Sequence, residues 1–210
     1  MTPQDHFMVV APVAAGKDAA LRALLASMNS APGIADPRNA VVPFGAFEQL
    51  HFARLVVLDD ALQVDLKVYG IEPARLPTCL VFIGDCDGDA DAALAELAQR
   101  AGVGLATIFS HCEGFAAGTD VLAWMRARDQ RAAASFVNWV GRSVRQVREE
   151  SALQRALSAR VPRQALATPA DAQRVRAELV SHVAGEVRAG RLALTPPPPT
   201  PLDWQLRKLA

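Results

Sequence analysis

Two apolar segments limit the fold most strongly, because both faces of each would be apolar if the segment formed a β-strand. The segments are HFARLVVLDD (51–60) and TCLVFIG (78–84). Successive side chains of a strand point to opposite faces, and in both segments neighbouring residues such as Val81 and Phe82 are apolar. A sheet with one wet face should alternate with polar residues. The sequence therefore predicts a sheet that is covered on both faces.

Four strands and two helices can be placed around these segments. HFMVVAPV (6–13) and ASFVNWVG (134–141) are further short apolar runs typical of strands. Helices are predicted where apolar residues recur at helical spacing, in KDAALRALLASM (17–28) and from Leu94 to Cys112. The order βαββαβ favours a ferredoxin-like α+β fold, an antiparallel sheet with both helices on one face. We place this domain at residues 5–141.

The second face of the sheet needs a cover, and two candidates stay open. One is the sheet of a second copy of the chain, as in a dimeric α+β barrel, so the partner would be a homodimer mate at the open sheet face. The other is the chain's own helical extension at 142–194, where 142–161 and 168–190 carry apolar stripes at helical spacing. The residues that follow, 195–210, begin with a polyproline run typical of a stiff spacer.

Charge is divided unequally between the two ends of the chain. Residues 1–125 hold 7 basic and 15 acidic side chains, and residues 126–210 hold 15 basic and 7 acidic ones. The basic end suits an acidic partner, the acidic end of the same fold, or peripheral contact with a membrane surface. It has almost no interleaved aromatic residues and no groove-reading motif, so nucleic-acid binding is not expected.

Composition indicates a cytoplasmic protein. The first residues have no basic flank and no long apolar stretch, and no run of about 18 apolar residues is present for a membrane span. The three cysteines, Cys79, Cys86 and Cys112, form no Cys-x-x-Cys pair. They are typical of reduced thiols, and they argue against a disulfide framework or a zinc site.

The aspartates of GDCDGDAD (84–91) are the most distinctive polar cluster. Asp85, Asp87 and Asp89 have the first spacings of an EF-hand loop, but Ala90 stands where the sharp turn needs glycine, so no metal is predicted. The alternative is helix capping in a strand-to-helix turn, because a carboxylate accepts hydrogen bonds from the free N–H groups of a first helical turn.

The same cluster resembles a motif of the dye-decolourising haem peroxidases. GDCDG matches their Gly-x-x-Asp-Gly segment, and these enzymes are also built from ferredoxin-like domains. The resemblance implies a haem cofactor, Asp87 as the residue that manages peroxide protons on the distal side, and His111 or His182 as the haem ligand.

Residues 51–115 also resemble a group of uncharacterised bacterial proteins. The resemblance rests on a His-Phe-Ala-Arg strand motif, an Asp-Gly-Asp turn and a helix that ends before Glu-Gly-Phe. The matching residues are His51, Phe52, Ala53, Arg54, Asp87, Gly88, Asp89, His111, Gly114 and Phe115. It implies a ferredoxin-like fold and no particular activity.

Three further candidate residues have structural alternatives. His51 and Arg54 are three positions apart, so we expect them on opposite faces of the strand. Arg54, if buried, needs a carboxylate from residues 85–91, and otherwise it would bind a ligand. His111 adjoins Cys112, but helical neighbours do not face each other, which argues against nucleophilic catalysis.

The function expected from the sequence is a non-catalytic binding or assembly module. A haem- or small-molecule-binding oxidoreductase is the alternative. The candidate ligand-binding residues are those discussed above: His51, Arg54, Asp85, Asp87, Asp89 and His111.

Overall fold

A computed structural model shows a mixed α+β protein made of two compact units. It describes residues 4–59, 68–71, 76–130, 141–161 and 168–196. We call Pro3–Asn138 the sheet region, and Trp139–Ala210, with Met1–Thr2, the helical region. Within the described residues, no helix combines the length and the apolar character that crossing a membrane requires.

The elements of the sheet region follow one another in chain order. They are β1 (Gln4–Pro12), α1 (Asp18–Ser27), β2 (Asn29–Ala31), β3 (Ile34–Ala35), a 3-10 turn (Phe44–Ala46), β4 (Leu50–Leu58), β5 (Cys79–Asp87), α2 (Ala90–Phe109) and α3 (Val121–Arg126). The three long strands form an antiparallel sheet in the order β1-β5-β4. The predicted strands at 6–13 and 51–60 and both predicted helices are therefore present.

The core lies between the sheet and helix α2. The alternate residues of β1 and β5 that face the helix are buried, and Phe7 and Phe82 make an edge-to-face ring contact with centroids 5.0 Å apart. From α2, the predicted stripe residues Leu94, Leu97 and Leu105 are at most 1 % exposed. Burying side chains of this size contributes about 1.5 to 3 kcal/mol each, so this interface supplies most of the region's stability.

The second sheet face carries apolar residues, as predicted, together with the exposed Arg54 and Asp85. Of its apolar members, Phe52 is 39 % exposed and Leu58 is 52 % exposed, whereas Val81 is only 8 % exposed. Whether a second copy of the chain covers this face stays a prediction.

The segment between α1 and β4 is more ordered than the predicted long connection. It forms the short hairpin β2-β3 and then turns around Asn39, a 7 % exposed side chain. The Asn39 carboxamide donates to the carbonyl of Val42 and accepts from the amides of Val41 and Val42, at 2.8 to 3.0 Å. This turn presses against helix α2 at Gly104, where an added Cβ would lie 1.7 Å from the Val41 carbonyl oxygen.

Two sequence predictions on strands are changed by the structure. The third strand was expected to end at Gly84, but β5 continues to Asp87, since residues 85 to 87 pair with β1. The fourth strand, predicted at 134–141, lies outside the described residues except for Gly141. The complete βαββαβ arrangement therefore stays a prediction.

The described part of the helical region contains two helices, α4 (Val144–Ser158) and α5 (Pro169–Arg188). Each begins with a capping side chain: Ser143 and Gln146 form a capping box, and Thr168 accepts from the amide of Asp171. Within both helices few side chains are buried. The predicted helices at 142–161 and 168–190 are thus present, but they leave much of their apolar stripe open.

Candidate functional site

His51 and Asp87 form the most enclosed of the charged side-chain pairs in the described sheet region. The His51 Nε2 lies 2.8 Å from the Asp87 Oδ1 and 2.9 Å from the Gln4 side-chain nitrogen. The side chains of His51 and Asp87 are 9 % and 11 % exposed. The donor and acceptor roles of Nε2 depend on the tautomer of the ring, and the tautomer with a proton on Nε2 donates to the Asp87 oxygen. The contact joins the ends of all three long strands.

A β-bulge brings His51 to this position. Leu50 pairs with Cys86 but Phe52 pairs with Asp85, so His51 is an extra residue with no partner in β5. An extra residue shifts the alternation of side chains along the strand, and His51 therefore reaches the face that carries Asp87.

The bulge makes the expectation about Arg54 wrong. His51 and Arg54 were predicted on opposite faces, but Arg54 pairs with Ile83, which lies on the same face of β5 as Asp87. The Arg54 guanidinium is exposed and lies 5.2 Å from the centroid of the Phe52 ring. Among the described residues, no carboxylate is within ion-pair distance of it. The predicted pairing of Arg54 with residues 85–91 is thus not observed. Its guanidinium is solvated by water and needs no buried counter-ion.

The remaining aspartates have separate roles. Asp89 caps helix α2, since its carboxylate accepts from the amide of Ala92 at 2.9 Å, as the capping interpretation expected. Asp85 is exposed near the end of the β1-β5 ladder, opposite His6. Asp91 forms a two-bond ion pair with Arg126, which lowers the pKa of the Asp91 carboxyl.

A second cap of helix α2 comes from a residue that the sequence did not indicate. The Asp5 carboxylate accepts from the amide of Ala90 at 3.1 Å across 85 positions of sequence. The capping interpretation, in which Asp87, Asp89 or Asp91 caps the helix, is thus confirmed by Asp89. No local spacing could have pointed to Asp5.

His111 lies at the opposite end of helix α2 from the aspartates. The 20-residue helix is about 30 Å long. The His111 Nδ1 is within 3.2 Å of the carbonyls of Thr107 and Ile108. The structure therefore does not bring His111 together with His51 and Asp87.

The cysteines of the sheet region are free thiols of low reactivity. Burial raises the pKa of Cys86 to about 11 and that of Cys112 to about 11. Burial also raises the pKa of Cys79, which is less enclosed. At neutral pH all three are neutral thiols, and the thiolate is the nucleophile. They supply no activated nucleophile.

The haem implied by the peroxidase resemblance does not fit Asp87 and His111 as its two partners. A distal acid and a proximal ligand must face one iron atom from two sides, but Asp87 and His111 stand at opposite ends of α2. His182, the other ligand that the resemblance implied, belongs to the helical region. The Asp87 carboxylate is also occupied by His51. Across the residues that the structure describes, no three His, Cys, Asp or Glu side chains form a group able to hold a metal ion.

The helical region contains a large concave surface, which we call the hairpin groove. Its volume is about 940 Å³. Its walls are formed by apolar residues of α4 and α5, two arginines and one residue after each helix: Leu153, Leu157, Val161, Ala172, Val175, Arg176, Leu179, Val180, Val183, Ala184, Val187, Arg188 and Leu194. Sequence analysis identified the stripes and left open whether they or a second copy of the chain cover the sheet, since an amphipathic pattern does not say what it packs against.

The groove follows helix α5 for most of its length. Its lining residues run from Ala172 to Arg188 at intervals of three and four, which is one face of a helix. Several remain open, and Val180 is 60 % exposed. Comparisons with protein-family models, curated proteins and solved structures gave no match. The functional argument therefore rests on the His51–Asp87 contact and on the hairpin groove.

Proposed function

We propose that this protein is a non-catalytic binding or assembly module that receives an α-helix in the hairpin groove. The groove itself is the observation that carries the proposal. The groove is lined almost entirely by apolar residues along one helix face, and exposed apolar surface of this kind, rimmed by polar residues, marks interaction sites. Helix-in-groove docking uses such a surface, with anchors at helical intervals on the partner.

The dimensions of the groove suit a helix. From Ala172 to Arg188 the lining spans 16 residues of α5, or about 24 Å. A helix of about 10 Å diameter and that length has a volume near 1,900 Å³, so a groove of about 940 Å³ accepts half of its cross-section. The exposed half of the guest would remain in water.

The polar residues of the sheet region support a non-catalytic role. His51 and Asp87 hold each other at one end of the sheet, while His111 lies at the far end of α2. A catalytic site needs its acid, base and nucleophile within hydrogen-bond reach of one reacting group. These residues act as structural contacts instead.

The sheet region is proposed to be a ferredoxin-like domain. The antiparallel order β1-β5-β4 supports this, with the chain after α3 returning along the free edge of β1. There Val10 donates to the carbonyl of Arg128 at 3.1 Å, and Gln130 donates to that of Met8 at 2.8 Å. This is the edge that the fourth strand of such a fold takes.

A labelled amphipathic peptide tests the groove in the full chain. An 18-residue helical peptide with a leucine stripe and glutamine elsewhere should bind saturably, with a Kd in the micromolar range by fluorescence anisotropy. Leu179→Asp, inside the groove, should weaken binding at least tenfold. Ala177→Asp, exposed on the same helix but outside the groove lining, should leave it unchanged. Equal binding by both variants would contradict the proposal.

The oxidoreductase alternative has a simple check. Protein produced with haem supplied should show no Soret band. A band that shifts in His111→Ala would contradict the non-catalytic role.

A further inference from the structure

In the described part of the chain, two arginines are the only charged residues among the otherwise apolar lining of the hairpin groove. Arg176 and Arg188 are both exposed and both line it. Among the described residues, neither has a carboxylate within ion-pair distance. Arg174, on the same helix but outside the groove, pairs with Asp171 at 3.5 Å and with Glu178 at 3.2 Å. The guanidinium groups of Arg176 and Arg188 are thus exposed beside the apolar lining and available to a guest.

The two arginines are separated along and around helix α5. Arg176 and Arg188 are 12 positions apart, so their Cα atoms are about 18 Å apart along the axis and about 120° apart around it. A guest helix that lies along α5 would therefore meet them at two separate positions.

The charge of the helical region disfavours a second copy as the guest. Residues 139–210 contain twelve basic and six acidic side chains, a net charge of +6. Two such regions packed face to face would repel each other, and repulsion of like charges at an interface selects against wrong partners. An acidic guest would gain attraction and faster association instead.

We propose that the guest is an acidic amphipathic helix of a partner protein, with an apolar stripe and carboxylates beside it. This inference rests on the proposed function, since it names the partner of the same groove. The apolar stripe provides the buried contact, and Arg176 and Arg188 select acidic helices over basic ones.

Two synthetic peptides with the same leucine stripe test the charge preference. One carries glutamate and the other lysine at the two flanking positions, and both are titrated into the full chain at about 50 mM salt. The glutamate peptide should bind at least tenfold more tightly. The preference should shrink at about 500 mM salt, because rim charges are screened over a few ångströms there.

Charge-reversal variants test whether the groove arginines cause the preference for the glutamate peptide. The double variant Arg176→Glu with Arg188→Glu should reverse the preference. The variant Arg174→Glu with Arg191→Glu changes the net charge equally but lies outside the groove lining, and should keep it. Helicity by circular dichroism shows that each variant is folded. The same preference in both double variants would overturn the assignment.

Other outcomes separate this inference from the proposed function. Equal binding of both peptides, lost in Leu179→Asp, would overturn the acidic guest and keep the groove as a helix receptor. No binding of either peptide by the folded chain would overturn both. A dimer by sedimentation that Leu179→Asp dissociates would make a second copy the guest. Tighter peptide binding in Trp204→Asp would make the chain's own C-terminal residues the guest. Either result would overturn the proposal.

Discussion

The sheet region and the helical region use apolar residues in opposite ways. In the sheet region, α2 buries its stripe against β1 and β5, and Leu97 is 1 % exposed. In the helical region, α5 has a stripe of similar length, but Val175 is its one buried member and Val180 is 60 % exposed. Both patterns look alike in the sequence, since periodicity reports an apolar face and not its partner.

The difference separates a face used for folding from a face available for binding. A helix pair without a third layer cannot bury its stripe, and stable architectures bury such faces against another element. The aromatic residues show the same division: Phe109, Phe115 and Trp124 form a ring cluster in the sheet region with centroids 4.5 to 6.1 Å apart. None of the hairpin-groove residues is aromatic.

A pair of glycine substitutions should show the largest contrast between the regions. Gly104→Ala should lower the free energy of unfolding by about 3 kcal/mol, because the added Cβ would lie 1.7 Å from the Val41 carbonyl oxygen. Gly185→Ala, inside α5 with no atom within 4 Å of the added Cβ, should stabilise its helix by up to about 1 kcal/mol.

Urea unfolding measures the first variant, and helicity with local hydrogen exchange measures the second. Gly102→Ala is the control within α2, since its Cβ would also meet nothing within 4 Å. If Gly104→Ala were as stable as Gly102→Ala, the close approach of the loop to α2 would be wrong.

Matched leucine truncations should give the next largest contrast. Leu97→Ala removes a fully buried side chain and should cost about 2 to 5 kcal/mol. Leu179→Ala removes a half-buried one at the open groove and should cost about 1 kcal/mol or less. Chemical denaturation of both variants measures this difference. An equal loss of unfolding free energy in both variants would show that the groove is filled in the free protein. The stripes of α2 and α5 would then be buried alike.

The parts of the fold that the sequence predicted are those set by near neighbours. The stripe of α2 repeats within one helix, and Asp89 caps Ala92 three positions away, so periodicity and spacing revealed both. Asp5 caps Ala90 from 85 positions away, and His51 meets Asp87 from 36 positions away. Such contacts depend on strand register, which a single sequence does not display.

The bulge at His51 explains most of what went wrong at the candidate site. One extra residue in a strand reverses the face of every side chain beyond it. The alternation rule therefore put His51 and Arg54 on different faces. The carboxylate predicted for Arg54 if it were buried is not observed among the described residues, where Arg54 is exposed. The groove escaped prediction for a different reason, since the packing between two helices is a property of the tertiary structure.

Alkaline pH should destabilise the sheet region through its buried thiols. Cys86 and Cys112 have pKa values raised to about 11 by burial, whereas unfolded thiols titrate near pH 8.5 to 9. A raised folded-state pKa means that the stabilisation is complete below the unfolded pKa and is lost as pH rises through the folded one. Unfolding free energy should therefore fall between about pH 9 and 11, by roughly 2 kcal/mol or more for each thiol.

Denaturation at pH 8 and pH 10.5 measures this loss, and the double variant Cys86→Ala with Cys112→Ala should show much less of it. All three cysteines lie in the sheet region. The protection of the α4 and α5 amides against hydrogen exchange should therefore not show this thiol-dependent loss. An unchanged pH dependence in the double variant would contradict the burial of these thiols.

Two aspartates of the cluster should differ in their effect on stability. Asp87→Asn weakens the acceptor of the His51 hydrogen bond in an enclosed position and should cost about 1 to 2 kcal/mol. Asp85→Asn alters an exposed side chain on the same strand and should stay within about 0.5 kcal/mol. Thermal unfolding near neutral pH compares them. If Asp87→Asn were neutral, the His51 contact would not hold the strand ends together.

The smallest contrast should come from the helix caps. Asp89→Ala and Ser143→Ala each remove a cap worth about 1 kcal/mol. Helix α2 should keep its full length in the first variant, because its packed face and the Asp5 carboxylate still hold its first turn. Helix α4 buries Val144 and Gln146 in its first turn, but Gln146 is itself half of the capping box and no distant side chain caps this helix among the described residues, so its first turn should fray more in the second variant. Hydrogen exchange at the amides of the first two turns distinguishes these results. Equal fraying of both helices would mean that packing and the Asp5 contact do not protect the first turn of α2. The two regions would then not differ in how firmly their helices are held.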